Sequence, residues 1–170
     1  MSHKETTSYL NAIGHILDQF DHHICLLNDV GEILFVNKAW QGFAKENNTT
    51  LESFEGTNYL EIESSDGDES ANFIEGIKNV LSGKKDEITV DYPCHSPTEK
   101  RWFKAIARPI ELEGENCALI IHENQSARVS LANAVELLLE ISDIIYKVDD
   151  FNTALKKVLQ LLCETSQWAL

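Results

Sequence analysis

Residues 83 to 126 constrain this chain more than any other stretch. They read as three consecutive strands followed at once by a long helix. The first strand is Glu87–His95, with Ile88, Val90, Tyr92 and Cys94 alternating onto one face. The second is Arg101–Leu112, after the turn His95-Ser96-Pro97-Thr98-Glu99-Lys100, and the third is Asn116–Glu123, after Glu113-Gly114-Glu115. Consecutive strands joined by short turns form an antiparallel meander. A meander that feeds a helix can pass a displacement of the sheet to whatever the helix touches.

Composition bounds the partners. The chain has 170 residues, room for one compact domain and an appendage. It carries 14 basic and 28 acidic residues, a net charge of −14. Such a surface repels phosphate backbones and anionic lipid, so nucleic acid and membrane surfaces are not expected partners. The apolar run Cys117–Ile121 is far too short to span a bilayer, so no direct membrane insertion is expected. The start, Met1-Ser2-His3-Lys4-Glu5, is polar and leads into no signal-peptide core. Four scattered cysteines, Cys25, Cys94, Cys117 and Cys163, suit reduced thiols and a cytoplasmic location.

Upstream of the meander, residues 6 to 21 show helical spacing, with Tyr9, Ile13, Ile16, Leu17 and Phe20 on one stripe. His23–Asn28 and Glu32–Val36 read as strands around the turn Asp29-Val30-Gly31. Asn37 is placed to cap a helix running to about Glu46, with Ala39, Trp40 and Phe43 inward. The stretch from Asn47 to Ser70 is polar and turn-rich. Ser70–Leu81 reads as a helix with Phe73, Ile74, Ile77, Val80 and Leu81 on its stripe, ended by Gly83. Downstream, Leu131, Ala134, Leu138, Ile141, Ile145 and Val148 recur at alternating three-and-four spacing over Ala127–Val148. Asp149-Asp150 interrupts the pattern, and Phe151, Leu155, Val158 and Leu162 mark a second helix.

This order of elements resembles a PAS domain, a sensory module of bacterial signalling proteins. Val36-Asn37-Lys38-Ala39-Trp40 resembles the family's second-strand exit, and Gly56-Thr57-Asn58-Tyr59-Leu60 its central glycine segment. The hairpin Tyr92–Phe103 is similar to one in a subgroup from sensor kinases and diguanylate cyclases. The resemblance implies an α+β fold: a five-stranded antiparallel sheet with helices on one face, an N-terminal cap helix and a C-terminal coiled-coil-type helix. It divides the chain into a cap helix at 1–22, a PAS domain at 23–126 and a signalling and dimerisation helix at 127–148. Residues 149–170 resemble the entry helices of a GAF domain, which implies a piece of a longer protein with its output domain absent.

Two departures narrow the chemistry. Where the family often leaves its last strand through Asp-Ile-Thr, this chain has Asn124-Gln125-Ser126, so the signal exit keeps its polar first and hydroxyl third positions but not its charge. Flavin-binding light sensors of this fold carry a cysteine after the asparagine of the glycine segment. Here Tyr59 stands there, and a phenol forms no thiol–flavin adduct. Haem is not expected either, because the helix 70–81 contains no histidine. No cofactor is named.

Trp40, Tyr59, Phe73, Tyr92, Phe103 and Ala105 are the candidate lining of a ligand pocket, with Ala105 and Ala107 leaving room on one strand face. The same aromatics would equally serve as core. Trp40 and Tyr92 are expected to be core residues. Trp102, Ile106 and Ile110 should face the outer side of the sheet, under the stripe of the N-terminal helix. His23, His95, Arg101 and His122 should gather at one sheet edge, as a solvated rim rather than a pH-responsive cluster. His22, His23, Cys25, Cys94, His95 and His122 match no zinc spacing, and the acidic residues around Gly67 lack the calcium-loop pattern, so no metal is expected. No nucleophile–base pair or phosphate-binding loop appears, so the chain is read as regulatory, not enzymatic. Two functions stay open: a sensory and dimerisation module for a small ligand or partner, and a ligand-free protein–protein scaffold. Either would use a homodimer seam through Leu131, Leu138, Ile141 and Ile145.

Overall fold

The computed structural model describes residues 12–47, 54–61, 68–96 and 99–166. Tyr9 of the expected N-terminal stripe, and the acidic loop around Gly67 up to Asp66, lie outside them. The elements are β1 (His23–Leu27), β2 (Ile33–Val36), α1 (Lys38–Glu46), a 3-10 turn (Tyr59–Glu61), α2 (Asp68–Leu81), β3 (Ile88–Pro93), β4 (Trp102–Leu112) and β5 (Glu115–Asn124). Two more helices follow, α3 (Ser126–Lys147) and α4 (Phe151–Ser166). The chain divides into two compact units, Met1–Ser126 and Ala127–Leu170.

Local chemistry sets the turns. Between β1 and β2, Asn28 Oδ1 accepts from the amides of Val30 (3.1 Å) and Glu32 (2.8 Å), and Gly31 adopts φ +87°. Between β4 and β5, Glu113 and Gly114 both have positive φ, as a two-residue hairpin matched to strand twist requires. After α2, the Gly83 amide donates to the Val80 carbonyl (3.0 Å) and the Lys84 amide to that of Asn79 (2.9 Å). These paired bonds absorb the orphan carbonyls of the last turn.

The five strands form one sheet in the order β2-β1-β5-β4-β3, every neighbour antiparallel. β5, last in sequence, is central. Register then aligns side chains in rows across the inner face. One row is Cys25, Ile120, Ala107 and Ile88; the next is His23, His122, Ala105 and Val90. Phe73, Ile77, Val80 and Leu81 of α2 are buried in the core with the strand residues Cys25, Leu27, Ala105, Ala107, Ala118 and Ile120. A side chain at Gly76 would collide with Ile88, so the missing Cβ lets α2 lie close on β3.

β4 carries apolar residues on both faces. Phe103, Ala105 and Ala107 are buried, while Trp102, Ile106 and Ile110 alternate with them and are half-buried. The expected cover differs in detail. Helix spans 12–17, where Gly14, not the apolar stripe, is buried, close against the Phe35 ring of β2. Ile16 and Phe20 are exposed. Trp102 instead packs edge-on against His95, ring centroids 5.1 Å apart.

One polar residue ties these parts together. Asn37 is fully buried at the N-cap of α1. Its Oδ1 accepts from the amides of Ile24 (3.0 Å) and Trp40 (3.1 Å). Its Nδ2 donates to the carbonyls of Leu17 (3.0 Å), Phe20 (3.4 Å) and His22 (2.9 Å). Its own amide donates to the Ile24 carbonyl at 3.0 Å.

The second unit is simpler. No residue of α3 is buried. Asp150 caps α4, its Oδ2 accepting from the Thr153 amide (2.8 Å) and hydroxyl (2.6 Å). Among the described residues no helix is long and apolar enough to cross a membrane.

Replacing Asn37 with alanine strands buried amides and carbonyls on both sides of the cap. Each such group costs about 1–3 kcal/mol, so the variant should lose about 3 kcal/mol or more. Asn37→Asp, which keeps the acceptor but loses the donor, should recover only part. Urea denaturation of the three proteins checks both; a loss below about 1 kcal/mol for the alanine variant would refute the role given to this residue.

Candidate functional site

The inner face of the first unit has a polar centre. His122, on β5, is buried with 8% exposure. The Tyr92 hydroxyl lies 2.6 Å from its Nδ1 and the Tyr59 hydroxyl 3.1 Å from its Nε2. A neutral imidazole has one N–H and one lone pair, so one phenol donates to the ring and the other accepts from it. Tyr92 comes from β3 and Tyr59 from the 3-10 turn, so the node joins three elements distant in sequence.

Aromatic rings enclose it. Ring centroids of Trp40, Phe73 and Tyr92 lie 5.4, 6.1 and 5.7 Å from that of His122, all edge-on. Trp40 also meets Tyr59 at 6.3 Å, and Tyr92 stacks on Phe103 at 5.8 Å. Ala105 sits opposite His122 in the β4–β5 register. Of the six residues read from the sequence as pocket lining, Trp40, Tyr59, Phe73 and Tyr92 meet this side chain and Ala105 lies opposite it in register, while Phe103 packs on Tyr92. Tyr59, Phe73, Phe103 and Ala105 are buried, whereas Trp40 and Tyr92 are half-buried and pack against the core from its margin.

The environment fixes the protonation states. Burial, reinforced by the field of His23, pushes the His122 pKa down to about 3, so the ring is neutral. Burial, with Cys25 and Tyr92 nearby, pushes the Tyr59 phenol well above its ordinary value. Burial likewise raises the Cys25 thiol, which suits packing rather than reactivity. Among the described residues no group of three or more His, Cys, Asp or Glu is placed to hold a metal ion.

Along the same face, towards the end of β1, the character changes. His23 packs on Phe43 and Phe103, centroids 4.5 and 5.5 Å away, and Phe43 meets Phe103 edge-on at 5.4 Å. Arg101 is also buried, its guanidinium carbon 5.0 Å from the Phe43 ring centroid. Its Nε donates to the Cys94 carbonyl (3.2 Å) and its Nη2 to Asn47 Oδ1 (2.8 Å). The Arg101 amide donates to His95 Nδ1 at 3.0 Å. Of the expected solvated rim, His122 and Arg101 are buried, because even-numbered β5 and odd-numbered β4 positions turn inward here. No sequence signal other than strand parity marked His122, and Phe43 was legible only as an inward helix residue.

The exit from the sheet is a compact polar knot. Asn124 Oδ1 accepts from the Ser126 amide (2.9 Å), Ser126 Oγ accepts from the Trp102 amide (3.0 Å), and the Gln125 amide donates to the Trp102 carbonyl (2.8 Å). Neutral side chains thus tie β4 and β5 together where α3 begins. In the second unit Leu131, Leu138 and Ile145 of the expected seam are 67%, 62% and 61% exposed, and Ile141 is half-buried.

Comparison with solved structures identifies the architecture. The PAS domain of BvgS from Bordetella pertussis superposes with a TM-score of 0.50 at 14% identity, covering 78% of this chain and 98% of that one. The fold is the PAS fold. The phage VqmA–DPO complex also matches, with a TM-score of 0.53 at 13% identity, over 85% of this chain and 69% of that one. At these identities the likeness speaks for the fold alone. No family model matches the sequence. An uncharacterized 104.1 kDa protein in the hypE 3′ region of Rhodobacter capsulatus is 35% identical over 112 residues, which cover 62% of this chain and 12% of that protein. The chain therefore matches only a small part of that relative's length.

The PAS core's neutral histidine makes stability pH-dependent. The unfolded chain protonates His122 near the ordinary histidine value of 6.5, while the folded one does so only near 3. Between those values the unfolded state binds more protons, so stability is full above pH 6.5 and falls on acidification. His23, lowered by burial, His22 and Arg101, acts in the same direction. One such site changes the unfolding constant by up to about tenfold per pH unit. His122→Gln should flatten the unfolding free energy between pH 6 and pH 4 by about that slope; an unchanged slope would show that the ring protonates freely in the fold.

Proposed function

We propose that the chain is a cytoplasmic sensory and dimerisation module of a bacterial signal-transduction protein. It responds to a small ligand or a partner and passes a conformational signal through its C-terminal helix to an output domain. The observation that carries this reading is the position of His122. It lies on β5 two residues before Asn124, so the polar node at the aromatic centre and the knot at the exit share one strand. A group that competes for the Tyr59 or Tyr92 hydroxyl would shift that strand relative to β4, and the Trp102 bonds would carry the shift to Ser126. The node supplies donor and acceptor atoms, and the surrounding rings supply apolar contact, as a small-molecule site needs.

The output belongs to the same proposal. α4 fits the entry of a GAF-like domain, and the hairpin likeness points to a kinase or diguanylate cyclase as the activity of the whole protein. The curated relative, far longer than the stretch it shares with this chain, supports a module in a larger protein. The regulatory role rests on the fold and on a centre built from packing and hydrogen bonds rather than from a nucleophile and its base.

Dimerisation is read from the second unit. α3 has 22 residues, none of them buried, yet carries Leu131, Val135, Leu138, Leu139 and Ile145 at large exposure. A helix of that length presents a seam of about 33 Å, and apolar surface of this extent marks an interface. A two-fold pair of parallel helices closes it.

Native mass spectrometry and an absorption spectrum of the purified chain test the sensing arm. A bound small molecule is expected; an empty core in a stable dimer would favour the scaffold reading. For the seam, replacing Leu138 and Ile145 together with aspartate should give a monomer whose first unit stays folded, as judged by light scattering and circular dichroism. If the unaltered chain is already monomeric at roughly 50 µM, the range of a weak specific interface, both the dimer and its transmission mechanism fall.

A further inference from the structure

The turn between β1 and β2 is bonded to the segment that carries Tyr59. The Ile33 amide donates to the Thr57 carbonyl (2.8 Å), the Gly56 amide to the Ile33 carbonyl (2.9 Å) and the Tyr59 amide to the Gly31 carbonyl (2.8 Å). Glu32 and Asn58 form an antiparallel bridge. Asn58 fastens the same contact through its side chain. Its Nδ2 donates to the Val30 carbonyl (3.3 Å) and its Oδ1 accepts from the Leu60 amide (2.9 Å). Residues 56–59 thus pair with β2 and the turn before it, at the edge of the sheet where β2 lies.

The turn is tight as well as tied. The Asn28 amide donates to the Glu32 carbonyl (2.9 Å) and the Gly31 amide to the Asn28 carbonyl (3.1 Å). Asp29, Val30 and Glu32 are exposed, whereas Gly31 is buried. A Cβ at Gly31 would strike Leu60, lying 2.5 Å from its Cγ, and would stand 3.1 Å from Asn58 Oδ1. Rotation about χ2 leaves Cγ in place, and Leu60 packs against the core, which opposes swinging the whole side chain aside. The collision would therefore press on the backbone next to Tyr59. Gly114 is a natural contrast. Its φ of +86° matches the +87° of Gly31, yet a Cβ there would meet nothing within 4 Å.

We propose that the β1–β2 turn is a control point for the buried node, with Gly31 as the positioning residue: displacing the turn withdraws the Tyr59 hydroxyl from His122. The Tyr59 hydroxyl lies 3.1 Å from Nε2, near the long end of hydrogen-bond distances. A shift of about half an ångström outward takes it past that limit. The other phenol is held elsewhere. Tyr92 stands on β3, at the opposite edge of the sheet from β2, so its bond to Nδ1 does not pass through the turn. An exposed loop thus governs one of the two partners of a buried ring, and β3 governs the other. The device goes beyond the sensing function proposed above and needs no ligand in the aromatic centre.

Nuclear magnetic resonance of the whole chain tests it. In the unaltered protein the proton held between Tyr59 Oη and His122 Nε2 should give a slowly exchanging signal. Gly31→Ala should abolish that signal and shift the Nε2 resonance more than the Nδ1 resonance. Gly114→Ala imposes the same backbone conformation on a side chain without the collision, and should leave the signal in place. Asn58→Ala loosens the clasp without crowding it, and keeps the proposal testable if Gly31→Ala does not fold. In that variant the proton should exchange about tenfold faster, the scale of one or two lost hydrogen bonds. An unchanged signal in both Gly31→Ala and Asn58→Ala would overturn the proposal. So would its equal loss in Gly114→Ala, or its absence from the unaltered protein.

Discussion

The architecture hangs on one buried amide. Asn37 has no exposure, and its side chain supplies both hydrogen-bonding functions to backbone that would otherwise be stranded. On one side it receives the Ile24 amide of β1 and the Trp40 amide of α1; on the other it closes the carbonyls of Leu17, Phe20 and His22. Fixing the first turn of α1 fixes the helix's inner face. That places Trp40 beside His122 and Phe43 beside both His23 and Arg101. No apolar residue could do this, since the groups being joined are polar and water is excluded.

The inner face resolves burial of polar groups in two ways. His122 meets desolvation by staying neutral, because its proton is weakly held and two phenols satisfy its ring nitrogens. Arg101 has no such exit, so the fold surrounds it with a carbonyl, an amide oxygen, a helix C-terminus and an aromatic face. Between them lie Phe43 and Phe103, and beyond His122 lie the small residues Ala105 and Ala107. The face therefore grades from cationic edge through an aromatic collar to a neutral hydrogen-bonded node and an apolar floor.

Most of the secondary structure was legible because it is written in local rules. The alternation of Ile88, Val90 and Tyr92 and of Phe103, Ala105 and Ala107 gave β3 and β4 their faces, and the asparagine cap, Gly83 and the Glu113-Gly114 turn marked ends that the structure places within a residue or two. The N-terminal stripe was misleading. Its spacing was helical, but only Ile13 and Leu17 of it are half-buried while Ile16 and Phe20 are exposed, and Gly14 makes the close approach to Phe35 that a larger side chain would block. The inward aromatics were legible by parity and aromatic character, yet the histidine among them was not, because a histidine near a strand end reads equally well as rim or core.

Sequence by itself determined the order of elements, the acidic balance, the three-and-four apolar spacing along α3 and the inward sides of the long strands, each governed by residues within a few positions of one another. The place of β5 between β1 and β4 followed from the family resemblance rather than from any local pattern, and the tertiary structure has it so, with His23, His122 and Ala105 in one row. Only the tertiary structure decided that Tyr59 and Tyr92 meet the two nitrogens of one ring and that Arg101 is buried, with no carboxylate pairing with it among the described residues. Protonation and pairing depend on what surrounds a group in space, and for His122 those partners stand 30 and 63 positions away along the chain.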